Sequence, residues 1–89
     1  MRVDQFLKAS RLVKRRTVAK ELADQGRVLI NGRTAKAGTT VSVGDKLTLL
    51  FGQKEVTVEV LDLKENPKKE EADSLYRMIE EKKRESDEG

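Results

Sequence analysis

The spacing of the apolar residues changes at Gly26, and this change divides most of the chain into a helical part and a β part. Before Gly26, Val3, Phe6 and Leu7 have the i, i+3, i+4 spacing of a helix face. After it, short β-branched runs appear, and residues 55–61 alternate cleanly between polar and apolar. The sequence therefore predicts an α+β fold, in which two short N-terminal helices pack on a small antiparallel sheet.

The first helix is predicted to end near Ala9–Ser10, and Asp4 lies in its first turn, where a carboxylate suits the helix dipole. The second helix is predicted from about residue 15 to residue 25. Thr17 is expected to assist its start, and Gly26 stands where a left-handed C-cap belongs.

Three strands are predicted in the β part, and each is bounded by turn residues. They cover residues 27–30, 46–51 and 55–61. Asn31-Gly32 is the strongest turn signal, because a type I′ turn needs positive φ at both central positions. The predicted core consists of Val3, Phe6, Leu7, Leu12, Val18, Leu22, Val28, Ile30, Val43, Leu47 and Leu49.

The length of 89 residues allows one small domain with an appendage, and we place the domain at residues 1–64 and a charged tail at 65–89. The tail begins at Asn66-Pro67, the only proline. Within it, Ala72, Leu75, Tyr76 and Ile79 form a narrow apolar stripe at helical spacing. We therefore expect a charged C-terminal helix that packs or frays, with residues 85–89 disordered.

The composition excludes several classes of function. The chain has no Cys and no His, so disulfides, thiolate metal sites, the commonest zinc ligand and the commonest general base are missing. We expect no enzymatic activity, no metal and no cofactor. With no apolar run long enough for a signal peptide or a membrane span, we expect a soluble cytoplasmic protein that contacts no membrane.

Charge is distributed unevenly along the chain. Residues 1–36 contain ten basic and three acidic residues, whereas residues 65–89 contain six basic and nine acidic ones. A basic segment followed by an acidic tail is typical of a protein that presents one surface to a polyanion. The alternative is a solvated charged surface without a partner. We favour a partner because seven of the ten basic residues lie within the first twenty positions.

Four short motifs occur in a fixed order: Arg2-Val3-Asp4, Arg15-Arg16-Thr17-Val18-Ala19, Gly26 to Gly32, and Val43-Gly44-Asp45. In this order and spacing, over about residues 1–50, they resemble the S-four RNA-binding domain family. Two positions depart from the family pattern. Val3 replaces the usual Leu, and Arg15 stands where many members have a Ser that would cap the second helix.

The Arg-Arg-Thr version of the motif is similar to a stand-alone branch of that family, the heat-shock S-four proteins and RqcP-type quality-control factors. This resemblance implies binding to the large ribosomal subunit, through ribosomal RNA and peptidyl-tRNA. It further implies that other ribosome quality-control factors are partners and that the protein supports alanine tailing of stalled nascent chains. The alternative is a general structured-RNA-binding or ribosome-assembly protein without a role in rescue.

The residues themselves favour RNA binding. Guanidinium groups at a helix start contact phosphate in bidentate fashion, where the helix dipole already favours an anion. Three aromatic residues are too few for a base-stacking platform, so we expect the protein to recognise the shape and phosphates of RNA. We also expect it to be a monomer. The predicted RNA-binding residues are Arg2, Lys8, Arg11, Lys14, Arg15, Arg16, Lys20, Arg27, Arg33 and Lys36, with Asp4, Thr17 and Asn31 in support.

Three alternatives to RNA binding alone are an enzyme, a protein-interaction adaptor and a DNA-binding protein. Domains of this kind are often joined to catalytic domains, but the 26 residues after Leu63 are too few for a catalytic fold. A protein-interaction adaptor that docks through the apolar stripe of the tail is compatible with RNA binding. DNA binding is possible from charge alone, although nothing resembles a recognition helix with base-reading side chains.

Overall fold

A computed structural model describes residues 1–83, and it confirms the α+β architecture. Five strands form one antiparallel sheet in the order β2-β1-β3-β4-β5. The elements are α1 (Val3–Ala9), α2 (Arg16–Asp24), β1 (Val28–Ile30), β2 (Arg33–Thr34), β3 (Lys46–Phe51), β4 (Lys54–Val60), a 3-10 helix (Lys69–Leu75) and β5 (Tyr76–Lys83). Within the described residues, no helix is both long and apolar enough to cross a bilayer.

The two helices start and stop close to where the sequence indicates, and Gly26 has the predicted left-handed conformation after α2. α1 follows Arg2, which has extended backbone angles, and it ends at Ser10. α2 ends at Gln25, and Gly26 follows with a φ of 74°. The prediction that Thr17 assists the start of α2 is wrong, because no side-chain hydrogen bond caps the N-terminus of this helix. Helix packing replaces the cap, since α2 buries Ala19 and Ala23.

The turn between β1 and β2 has the predicted left-handed backbone, with φ of 51° at Asn31 and 85° at Gly32. The Asn31 side chain also connects this turn to the start of β3. Its Nδ2 donates to Asp45 Oδ1 at 3.1 Å, and its Oδ1 accepts from the backbone N–H of Lys46 at 3.0 Å. Asn31 is therefore a structural residue that joins two turns of the sheet.

The core lies between the helices and the sheet and contains most of the predicted residues. Two predictions are wrong. Val18 is 38% exposed, because the buried face of α2 is centred on Ala19 and Ala23. Val43 is 60% exposed, and Val41 takes the interior place, where its N–H donates to the Met1 carbonyl at 2.8 Å.

The C-terminal segment is not the predicted helix. Residues 76–83 form β5, which pairs with the whole of β4, while the 3-10 helix before it buries Ala72 and Leu75. The carbonyl of Leu75 accepts the backbone N–H of Leu61 at 2.8 Å. Pairing with β5 satisfies the backbone N–H and C=O groups at the edge of β4. The spacing of apolar residues within the tail cannot reveal this long-range pairing. The predicted disorder of residues 85–89 lies outside the described residues.

Candidate RNA-binding site

A buried carboxylate joins the starts of the two helices. The Asp4 side chain is 4% exposed, and its two oxygen atoms face two different arginines. Arg2 Nε lies 3.3 Å from Oδ1, and Arg16 Nε donates to Oδ2 at 3.2 Å. Each arginine side chain is about half exposed, at 53% and 52%. Asp4 therefore fixes two guanidinium groups that still reach solvent, as a supporting residue was expected to do.

The backbone around Asp4 explains why this geometry forms. The loop 37–39 contacts the first residues of α1: Val3 N–H donates to the Thr39 carbonyl at 2.8 Å, and Asp4 N–H donates to the Ala37 carbonyl at 3.2 Å. The Arg2 guanidinium lies against this loop, since a methyl group added at Gly38 would be 3.6 Å from its Nη2. This is an ordinary van der Waals distance, so the arginine packs on the loop on its way to Asp4.

A cleft of about 270 Å³ opens beside Arg16, and we call it the basic cleft. It is lined by Gln5, Lys8, Ala9, Arg11, Arg16, Glu65, Asn66 and Pro67. Three of these residues are cations, and they come from α1, from the connection between the helices and from α2. Arg16 uses Nε to bind Asp4, which leaves its terminal nitrogen atoms available to a ligand.

A second cleft, of about 330 Å³, continues along the same side of α1. It is lined by Lys8, Arg11, Val13 and Lys14, so it shares two cations with the basic cleft. Arg11 lies between the two clefts with a φ of 63°, a left-handed conformation that is rare for a residue with a side chain. The structure thus brings Lys8, Arg11, Lys14 and Arg16 together, and Arg2 joins them through Asp4.

The other predicted cations lie outside these clefts. Arg15 is exposed at the N-cap of α2, and Lys20 is exposed one turn after Arg16. Arg27 is half-buried before β1, and Arg33 is exposed in β2. Lys36 is exposed beside the loop that packs against α1, where its backbone N–H donates to Thr39 Oγ1 at 2.9 Å. Contact of any of the ten predicted cations with RNA stays a prediction.

The ion pairs divide the described residues into two regions of different character. Of the ten predicted cations, Arg2 and Arg16 alone have a carboxylate within 4.0 Å in residues 1–83, and they share it. In residues 37–83, four of the eight cations have a carboxylate within 4.0 Å. These pairs are Lys54–Glu81 at 3.0 Å, Lys64–Glu71 at 3.4 Å, Arg77–Glu59 and Lys82–Glu80 at 3.6 Å. Residues 1–36 contain ten basic and three acidic residues, whereas residues 37–83 contain eight basic and ten acidic ones, so the excess positive charge belongs to the helical half.

Five residues of the basic cleft were not predicted from the sequence: Gln5, Ala9, Glu65, Asn66 and Pro67. Glu65 to Pro67 looked like a linker, because a proline after a polar run typically marks a break. No sequence signal indicates that this segment folds back against α1, since its partner lies about sixty positions earlier. The structure makes it part of the wall of the cleft.

Comparison with known proteins agrees with this geometry. Residues 1–47 match the family model described as the S4 domain. The chain is 60% identical to the RQC P-site tRNA stabilizing factor of Bacillus subtilis over 83 residues, covering 93% of this chain and 96% of the relative. It is also 60% identical to the factor of that name in Halalkalibacterium halodurans, over 85% of this chain and 86% of the relative.

A solved structure is similar as well. It is described as the trimeric structure of Vibrio cholerae Heat Shock Protein 15, and it superposes with a TM-score of 0.82 at 32% identity. The match covers 89% of this chain and 81% of that one. Family match, relatives and fold agree, and the chain belongs to the S4 domain family, in the branch that contains the RQC P-site tRNA stabilizing factors.

Proposed function

We propose that this protein is a non-catalytic RNA-binding factor that associates with the large ribosomal subunit in ribosome-associated quality control. In this role it contacts ribosomal RNA and peptidyl-tRNA in the cytoplasm, works with other quality-control factors and supports alanine tailing of stalled nascent chains. It acts as a monomer. Mass determination by light scattering of the free protein checks the last point, since the similar Vibrio cholerae protein is described as trimeric.

One observation carries the RNA-binding part of the proposal: the buried Asp4 carboxylate holds Arg2 and Arg16 half exposed beside the cations of the basic cleft. A single anion thus organises two guanidinium groups without neutralising the region, since Lys8 and Arg11 have no carboxylate within 4.0 Å in residues 1–83. Guanidinium forks held in place bind phosphate oxygens at lower entropic cost than mobile ones.

The ribosomal part of the proposal rests on the relatives. Their name places them in RQC and assigns them the stabilisation of tRNA in the P site. Sequence identity of 60% over nearly the full length of both chains supports the same role here. Alanine tailing is the downstream step that the family resemblance implies.

Sedimentation with purified large subunits tests this proposal. Wild-type protein is expected to bind subunits that carry peptidyl-tRNA more tightly than empty ones. Arg16→Ala should weaken both interactions, whereas Lys69→Ala, an exposed cation in the 3-10 helix, serves as the control. Equal affinity for loaded and empty subunits would reject a role for peptidyl-tRNA.

Crosslinking to RNA in cells separates the proposal from the alternative of a general RNA-binding or ribosome-assembly protein. Crosslinks concentrated on mature large-subunit RNA and tRNA support quality control. Crosslinks to precursor ribosomal RNA or to many unrelated RNAs would contradict it. Loss of alanine tails on stalled chains in a deletion strain, restored by wild-type protein and not by Arg16→Ala, tests the tailing step.

A further inference from the structure

The basic cleft contains a carboxylate that phosphate binding does not explain. Glu65 lines it together with Lys8, Arg11 and Arg16, yet Glu65 has no ion pair within 4.0 Å in residues 1–83. An anion in the wall of a phosphate site opposes the ligand by Coulomb repulsion. A cleft made for phosphate alone gains nothing from this residue, so its ligand has a part that donates hydrogen bonds.

Two amide side chains line the same cleft. Gln5 projects from α1, and Asn66 follows Glu65 in the returning segment. In the described part of the chain, neither side-chain amide forms a hydrogen bond to another protein group. Each offers one acceptor oxygen and two N–H donors to a ligand. Cations, a carboxylate and amides together match a ligand that combines negative charge with both donors and acceptors.

We propose that the basic cleft binds one unpaired nucleotide of an RNA, with guanine as the preferred base. This inference deepens the proposed function and rests on it. The cations Lys8, Arg11 and Arg16 hold the phosphate on either side of the nucleotide. Glu65 accepts from the imino N1–H and the amino N2–H of the guanine Watson–Crick edge, and the amides of Gln5 and Asn66 donate to O6.

The chemistry of the four bases determines the choice of guanine. Guanine alone presents two adjacent N–H donors that both oxygen atoms of one carboxylate can accept, in the manner of an arginine–carboxylate fork. Uracil presents one imino donor between two carbonyl oxygens, which the Glu65 carboxylate repels. Adenine and cytosine each present one amino group beside an unprotonated ring nitrogen. Unpaired bases are the part of an RNA whose Watson–Crick edges are accessible to side chains.

The size and lining of the cleft agree with a single nucleotide. Its volume of about 270 Å³ is just below the roughly 300–1,000 Å³ of small-molecule sites, so it has room for one nucleotide at most. No aromatic side chain lines it, so a base there stacks on a guanidinium plane, as bases in RNA-binding proteins also do. Arg11 and Arg16 are the two guanidinium groups in the lining.

Binding of four matched stem-loop RNAs, which differ only in one bulged nucleotide, tests the inference. Wild-type protein is expected to bind the bulged-G RNA about tenfold more tightly than the bulged-U RNA. Glu65→Gln should abolish this preference while leaving the affinity for bulged U unchanged or increased, because one anion is lost from the cleft. Glu70→Gln makes the same charge change outside the cleft and should keep the preference.

The possible failures can be told apart. Equal affinity for all four RNAs, with strong salt dependence and loss on Arg16→Ala, would overturn the base site and leave the proposed function standing. A preference for guanine that survives Glu65→Gln would overturn the role of this carboxylate. Absence of salt-dependent binding to any RNA would instead contradict the proposed function itself. Circular dichroism of Glu65→Gln, an exposed position, verifies that the variant is folded.

Discussion

Asp4 Oδ2 accepts a hydrogen bond from Arg16 Nε at 3.2 Å, and this bond joins the first turn of α1 to the first turn of α2. The carboxylate is buried while the guanidinium is half exposed. Removal of the carboxylate charge therefore has two effects of opposite sign on RNA affinity. It raises the net positive charge, and it releases Arg2 and Arg16 from their fixed positions.

We expect the second effect to dominate in Asp4→Asn. The free energy of unfolding should fall by about 1–2 kcal/mol, because a buried charge-assisted hydrogen bond is lost and its partner is half solvated. RNA affinity should fall several-fold. Denaturant unfolding and filter binding measure the two quantities. Asp73→Asn, the same charge change at an exposed site, is the control, and tighter RNA binding by Asp4→Asn would contradict the positioning role.

Arg11 allows stability and binding to be separated. Its φ of 63° costs an L residue about 1–2 kcal/mol relative to glycine, and relief of this cost equals or exceeds the roughly 0.4–1 kcal/mol entropic cost of glycine in the unfolded chain. Arg11→Gly should therefore leave the free energy of unfolding unchanged or raise it by up to about 1 kcal/mol. RNA affinity should fall equally in Arg11→Gly and Arg11→Ala, since both lose the guanidinium that lines two clefts. Retention of affinity in either variant would remove Arg11 from the site.

The C-terminal segment gives a direct test of the fold. Leu75 is fully buried, so Leu75→Ala should lower the free energy of unfolding by about 2–5 kcal/mol. Ile79 is 42% exposed in β5, and Ile79→Ala should cost less than about 1 kcal/mol. A helix with the apolar stripe of the sequence would bury both residues. Similar losses for the two variants would therefore favour the helix over the strand.

Glu71 makes the stability of this segment depend on pH. The backbone N–H of Lys68, 2.9 Å from its carboxylate, and the nearby Lys64 ammonium hold the pKa of Glu71 below its ordinary value of 4.5. A carboxyl group whose pKa is lower in the folded state contributes stability above its ordinary pKa and loses it as pH falls through the folded pKa. Thermal unfolding from about pH 6 downward should show a smaller loss for Glu71→Gln than for wild type. Equal losses would exclude this contribution.

The sequence predicts a structural feature correctly where residues close together in the chain determine it, and fails where residues distant in the chain determine it. The turn at Asn31 and Gly32 and the strand over residues 46–51 were predicted correctly, because backbone conformation and alternation are local properties. Val43 was placed wrongly in the core, since Val41 and Val43 have the same local pattern and the partner, Met1, is distant in sequence.

The tail was mispredicted for the same kind of reason. The spacing of Ala72, Leu75, Tyr76 and Ile79 fits a helix, but the long-range pairing of β5 with β4 determines the outcome. That the division at residue 64 marks a domain boundary stays a prediction. For the site, the cations of the helical half were evident from the sequence, whereas the wall formed by Glu65 and Asn66 required the folded chain.

The salt dependence of RNA binding tests the central claim most directly, because each phosphate contact contributes to the slope of log affinity against log salt. The double variant Lys8→Ala/Arg11→Ala removes two cations of the basic cleft that have no carboxylate within 4.0 Å in residues 1–83. Its slope should be shallower than that of wild type by roughly one unit for each lost contact, about two in all. Lys54→Ala/Lys69→Ala removes two cations outside that cleft and should keep the wild-type slope. Equal slopes for the two double variants would contradict RNA binding through the helical half of the protein.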